Sequence, residues 1–217
     1  LDSPLFSKAR AMGLSVEDFG NVIMVKESGR RFYDETKSGY DFFAACMAWD
    51  GNTEKLNGGG PIWAIFDRAA ADRENWKTEP PYVDPNGWFF EADTIRELAS
   101  KIGGPYQKQP MDPAVLEATV AKFNAGVTAG KDEFGRTALN FKIDKPPFYA
   151  AWSTPILHDT LTGVHTDTNG QVVDRAGQAI PGLYCAGESM GGFAQHGLAR
   201  CIIFGRVAGR HAAKLSV

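Results

Sequence analysis

Cysteine is scarce in this chain of 217 residues: Cys46, Cys185 and Cys201 are widely spaced and include no C-x-x-C pair. That spacing offers neither a zinc nor an iron–sulfur ligand set, and the three read as free thiols in packed positions. His165 and His211 lack partners at metal-ligand spacing, so no metal is expected. No apolar run is long enough to span a bilayer, and the N-terminus lacks a basic region followed by a hydrophobic stretch. The expectation is a soluble protein, cytoplasmic rather than secreted. Positive charge is not in excess either. With 23 Lys and Arg against 26 Asp and Glu, the formal net charge is −3, which leaves no electrostatic footprint for nucleic acid or an anionic membrane. Also missing is a strand followed by G-x-G-x-x-G, the fingerprint that brings a dinucleotide pyrophosphate to a helix N-terminus. Gly58-Gly59-Gly60-Pro61 is no substitute, because its proline and the lack of a preceding apolar strand suit a surface turn.

What is present is ordinary globular material. At 43% hydrophobic and 23% charged residues, the chain can bury one large core or two small ones. Residues 22–25 with Phe32 and Tyr33 suggest a short hairpin turned at Ser28-Gly29. Residues 62–66, IWAIF, predict a buried strand. Residues 76–85 are rich in proline and poor in aliphatics, and read as a loop. Asp93 is placed to cap a helix carrying Ile95, Leu98, Ala99 and Ile102, with Gly103-Gly104 ending it. Asp112 and Pro113 start a second helix whose Leu116, Val120, Phe123 and Val127 share one face. From 151 onward short strands and turns are expected: 154–157, 164–166, an Asn169-Gly170 hairpin turn, 172–173, and a turn near Ala176-Gly177. Trp49, Trp63, Trp76, Trp88 and Trp152 fit a core, or the lining of a hydrophobic substrate pocket.

The last forty residues carry the most information. Residues 180–188 read IPGLYCAGE and residues 197–213 read GLARCIIFGRVAGRHAA. They predict a short apolar strand, a glycine-rich turn and an amphipathic helix beginning near His196 or Gly197. Gly205 and Gly209, one turn apart, suggest close approach of a neighbouring strand or helix. In doubly wound sheets ligands bind beyond the carboxyl ends of strands, where a helix N-terminus offers N–H groups to electron-rich oxygens.

This wording resembles the C-terminal signature of the FAD-dependent fumarate reductase and succinate dehydrogenase superfamily, which includes flavocytochrome-type fumarate reductases and 3-ketosteroid dehydrogenases. Residues 29–35, GRRFYDE, are similar to that family's GKRFxNE, and residues 147–150, PFYA, to the point where its chain returns to the flavin domain. The resemblance implies an α+β capping domain over residues 1–150, and over 151–217 the C-terminal strand-and-helix portion of an α/β FAD-binding domain. The N-terminal Rossmann half is expected on a second chain carrying G-x-G-x-x-G, or lost. It implies FAD as cofactor, and hydride transfer between flavin and a carbon–carbon bond next to a carbonyl or carboxylate, as desaturation or enoate reduction. Two alternatives stay open: a non-catalytic chain that caps a separate FAD-binding chain, and a fold reused to bind a hydrophobic small molecule.

The same resemblance assigns site residues. Ala186, Gly187 and Glu188 would contact the cofactor, the Glu188 carboxylate accepting hydrogen bonds from FAD hydroxyls. Gly197 and Leu198 would direct backbone N–H groups at the flavin's pyrimidine oxygen. Residues 196–200, HGLAR, resemble a HGANR segment whose arginine clamps a substrate carboxylate, which makes His196 and Arg200 substrate or catalytic candidates. A gapless alignment on Phe204-Gly205-Arg206 is preferred, and it places Arg200 inside the helix as an exposed structural arginine. Residues 158–163, HDTLTG, stand where fumarate reductases carry HHTMGG. His158 matches the first histidine, whereas Asp159 replaces a substrate-binding one and would repel a dicarboxylate. Asp159 could bind a hydroxyl or amine, or cap a turn. Gly39 occupies the place of the arginine that delivers the proton in fumarate reductases. Glycine cannot be an acid, so Tyr40 or Lys37 is left to replace it, or to be a core tyrosine and a solvated lysine. Arg30 and Arg31 with Asp34 and Glu35 are expected to form surface or inter-domain pairs.

Overall fold

The computed structural model describes residues 18–37, 39–50, 55–56, 61–154, 162–192 and 197–214; at 39, 40, 49, 50, 55 and 56 the description is of the backbone. The chain divides into two compact units, Leu1–Pro155 and Ile156–Val217.

The first unit is built around a four-stranded antiparallel sheet in the order β1-β4-β6-β5, with β1 Ile23–Lys26, β4 Ile62–Asp67, β5 Phe89–Ala92 and β6 Phe148–Trp152. The short pair β2 (Trp49–Asp50) and β3 (Lys55–Leu56) stands apart from it. β4 is an unbroken apolar run because both faces of the sheet are covered. Ile62, Ala64 and Phe66 enter one core, and Trp63 and Ile65 the other, as a period of two requires. The first core also takes in Cys46 of α1 (Gly39–Met47) and Ala70 and Ala71 of α2 (Arg68–Arg73). The second is closed by α3 (Ile95–Lys101) and α4 (Pro113–Ala129) through Leu98, Leu116, Val120 and Phe123. β6 ends at Trp152 and Thr154 is irregular; the rest of the strand expected over 154–157 lies outside the described residues.

Local chemistry explains the boundaries. Asp112 accepts from the Ala114 N–H at 2.9 Å, Pro113 opens α4, and Gly130 closes it with a left-handed φ of 64°. For α3 the cap is Thr94, whose hydroxyl accepts from the Glu97 N–H at 3.1 Å, and not the expected Asp93. The turn at Ser28-Gly29 forms as read, with Gly29 at φ 78° pressed against the Leu116 backbone. Its return strand shrinks to a single bridge at Arg31 opposite Val25, because the next outward donor of β1, the Met24 N–H, goes to the Glu35 carboxylate instead. Loop residue Trp76 is 8% exposed and meets the Phe66 ring at 4.8 Å, so it anchors the start of an otherwise largely exposed loop in the core.

In the second unit β7 (Gln171–Val173) and β8 (Ala179–Tyr184) form an antiparallel pair, and α5 spans Leu198–Ala212. Of the expected 164–166 strand, Val164 and Thr166 make isolated bridges to Met190 and Val172. Two turns share one device: Asp167 accepts from the N–H groups of Asn169 and Gln171, and Asp174 from those of Ala176 and Gln178. Gly170 and Gly177, both at φ 79°, complete them.

Candidate functional site

The turn after β8 and the start of α5 come together. Ala186 is extended, Gly187 takes φ 75°, and Gly187–Ser189 forms one short helical turn carrying Glu188, which is half-buried. A Cβ at Gly187 would lie 3.2 Å from Cys201 Sγ, so this turn rests on the first turn of α5 and only glycine admits both the contact and the φ. Candidates 186–188 are thus neighbours of the helix that Gly197 and Leu198 open. Gly197 caps α5 at φ 83° with no side chain bonded to the helix end, Leu198 is 74% exposed, and a Cβ at Gly197 would meet nothing within 4 Å. Among the described residues nothing covers this helix N-terminus, which suits an electron-rich oxygen.

The contacts that hold α5 include Cys201 at Gly187, Ala208 at Gly170, and His211 Nδ1 at 2.7 Å from the Tyr184 hydroxyl. Among the described residues the close approaches expected at Gly205 and Gly209 are not made, since a Cβ at either would meet nothing within 4 Å. The glycines that matter lie on the strand side. Gly163 is a further case: an added Cβ would clash with Ser189 O, and Val164 N donates to that oxygen at 2.8 Å. A Cβ added at Gly191 would sit 2.7 Å from the Gly163 carbonyl. Neither contact has a signal in the local sequence.

Arg200 lies in the first turn of α5, as the gapless alignment has it, but it is 1% exposed where an exposed residue was expected. Cys201 is exposed and Cys185 half-buried, so of the three thiols only Cys46 is fully packed. Burial pushes the Cys46 thiol up to about 11. Trp63, Trp76 and Trp88 are buried, Trp152 is half-buried against Trp63 and Trp88, and the side chain of Trp49 lies outside the described residues. His158, Asp159 and His196 lie outside the described residues. Tyr40 lies in the first turn of α1, in the other unit from Arg200, and Lys37 is exposed.

Of the residues expected to form surface or inter-domain pairs, Arg30 is exposed, whereas Arg31 and Glu35 pair in the interior of the first unit. Arg31 donates to Glu35 through Nε at 2.8 Å and Nη2 at 2.6 Å, and through Nη1 to Asp132 at 2.6 Å. Arg136 adds Nη1 to the same Glu35 at 3.0 Å, and further donates to the carbonyls of Val22, Gly20 and Ala138. Burial by itself would lower the Arg31 pKa, but the Glu35 and Asp132 carboxylates outweigh it and raise it. For Asp132 burial works upward, and Arg31 overrides it to hold the carboxyl below the usual range. Among the described residues no group of His, Cys, Asp and Glu could hold a metal ion, and no helix is long and apolar enough to cross a membrane.

Comparison with known proteins places this geometry in a class of flavoproteins. The family model described as "FAD binding domain" matches residues 8–200, and the chain belongs to that family. FAD is the cofactor of that family. The chain is 35% identical to the NADH:acrylate oxidoreductase of Vibrio harveyi, over 90% of its own length and 19% of the relative's. It is 30% identical to the 4-oxocyclohex-2-ene-1-carboxylate 5-dehydrogenase of Sinomonas cyclohexanicum, over 98% and 38%. The open conformation of a flavocytochrome c3 fumarate reductase superposes with a TM-score of 0.62 at 28% identity, covering 93% of this chain and 34% of that one. The chain therefore spans about a fifth to two fifths of the length of these relatives.

Proposed function

We propose that the chain supplies the capping domain and the C-terminal flavin-contacting segment of an FAD-dependent oxidoreductase acting on a carbon–carbon bond next to a carbonyl or carboxylate. The observation that carries the reading is the 186–188 turn packed on the open N-terminus of α5, inside the span matched by the family. FAD would supply hydride exchange at its N5 position. The backbone N–H groups of Gly197 and Leu198 would stabilise negative charge on the ring, and Glu188 would accept from cofactor hydroxyls. Tyr40 at the start of α1 would hand a proton to the substrate carbon, and Arg200, with His158, Asp159 and His196, would orient the substrate.

Gly39 in the first turn of α1, where fumarate reductases place an arginine, favours a substrate other than fumarate. The printed activities of the relatives point to an enoate or a cyclic enone. The complement would be a G-x-G-x-x-G segment on a second chain. A second reading, a non-catalytic chain that caps a separate FAD-binding chain, is favoured by the exposure of Leu198, Ile202 and Ile203 at 74%, 61% and 54% on α5, since a further polypeptide would cover them.

The test is the visible absorption spectrum of the natively purified protein, read beside a denaturing gel. Turnover of acrylate, fumarate and 4-oxocyclohex-2-ene-1-carboxylate is then followed with reduced viologen. Flavin bands, turnover of the cyclic enone or acrylate, and loss of that turnover in Tyr40→Phe are expected. Rapid fumarate turnover would overturn the argument from Gly39. Flavin bands without turnover of any of the three would leave the capping reading, and a colourless folded protein would defeat both.

A further inference from the structure

The buried charges of the first unit do more than fill a core. β1 is an edge strand, and apart from the bridge to Arg31 its outward side meets side chains: the Met24 N–H donates to Glu35 Oε1 at 3.0 Å, and the carbonyl of Val22, just before the strand, accepts from Arg136 at 2.9 Å. The Glu35 carboxylate, fully buried, is held by Arg31, Arg136 and that backbone donor at once. The segment leaving it is also closed. Asp34 accepts from the Thr36 N–H and hydroxyl at 3.0 and 2.6 Å, and its carbonyl from the Lys37 N–H at 3.2 Å. Three residues separate Glu35 from Gly39, so the start of α1 is tethered within roughly 14 Å of the cluster. Along α1, the Phe42 ring stacks on Tyr33 at 5.4 Å and tilts against Phe32 at 6.4 Å, and Cys46 is wholly buried. The residues that receive α1 are therefore those held between Arg31 and Glu35.

We propose that Glu35 is a positioning residue: clamped by Arg31 and Arg136, it sets the seat of α1 and with it the placement of residue 40 relative to a bound substrate. This rests on the reading that α1 carries the proton donor. Glu35 touches neither substrate nor cofactor in that scheme. It acts through the 32–37 segment. Arg136 takes part from a loop about a hundred residues away, which gives the device a second member that can be altered separately.

Amide hydrogen exchange of the natively purified protein tests the seat of α1 without any substrate. In Glu35→Gln, exchange at residues 43–47 should rise about tenfold while that at residues 98–101 of α3 stays at the wild-type rate. Arg136→Lys keeps the charge but loses the planar fork. It should show the same selective rise to a smaller extent, and serves alone if Glu35→Gln does not fold. Turnover per bound flavin should fall about 10- to 100-fold with KM changed less than about twofold. Unchanged exchange at α1, or an equal rise in α1 and α3, would overturn the proposal. So would a loss of turnover that only follows the loss of flavin-loaded protein. If Tyr40→Phe keeps full turnover, the proton-donor assignment falls, and the exchange measurement still decides whether Glu35 seats α1.

Discussion

Glu35 and Arg136 are separated by 101 residues in sequence and meet at 3.0 Å with neither side chain exposed. Two guanidinium groups and the carboxylates of Glu35 and Asp132 balance to zero inside the first unit, which is the condition under which buried charge is tolerated. Removing one member of such a set typically costs about 3–5 kcal/mol, because the remaining charges stay buried without their partner. The cluster thereby joins the β1 edge, the 31–37 turn and the loop after α4 into one cooperative piece.

Asp132 makes that piece sensitive to acid. Its folded-state pKa lies below the ordinary aspartate value, so its stabilising contribution is complete above the unfolded value of about 4 and is lost as pH falls through the lower, folded one. The thermal midpoint of the first unit should drop over that acidic window. Asp132→Asn should lose about 2 kcal/mol at pH 7 and show a weaker acid dependence; an unchanged pH profile would count against the ion pair.

Gly170 takes φ 79°, and a Cβ added there would come within 2.8 Å of the Ala208 side chain. Gly170→Ala should therefore cost about 1–3 kcal/mol from the backbone conformation, with the clash added. Near-wild-type unfolding of this variant in denaturant would show that α5 does not rest on the 167–171 turn.

Cys46 is inside the first core with its thiol raised to about 11, whereas Cys201 is exposed. At pH 8 only a trace of Cys46 is thiolate, and access requires opening of the core. Alkylation followed by peptide mass mapping should label Cys201 in minutes and Cys46 only in denaturant. Equal rates for the two would contradict the packing of α1.

Glu188 sits in the turn that Gly187 seats on α5. Glu188→Ala should reduce the flavin retained by the natively purified protein about tenfold or more, in line with the loss of a charge-assisted hydrogen bond, and leave the far-ultraviolet circular dichroism unchanged. Full flavin content in the variant would remove Glu188 from the cofactor contact.

Local patterns were legible wherever a residue's role depends on its near neighbours. Asp112-Pro113 followed by Leu116, Val120 and Phe123 specified α4, since cap, fixed φ and apolar period all agree. IWAIF specified β4, and Asn169-Gly170 a turn. Asp93 and Thr94 show the limit: both are capping residues, and the cap is Thr94, extended at φ −133° and ψ 151°, with its hydroxyl accepting from the Glu97 N–H. GLAR announced the start of α5 at Gly197 but not the burial of Arg200, which depends on what packs against the helix.

The sequence by itself determined the family, most of the helices and strands, and the candidate cofactor turn at 186–188, because those depend on composition and short spacing. Only the tertiary structure decided that Arg31 and Glu35 are buried with Arg136 and Asp132, that Gly170 and Gly187 rather than Gly205 and Gly209 are the points of close approach, and that Tyr184 reaches His211. Each of these contacts joins residues far apart along the chain. Its energy comes from desolvation and steric fit that exist only once both segments are folded against each other.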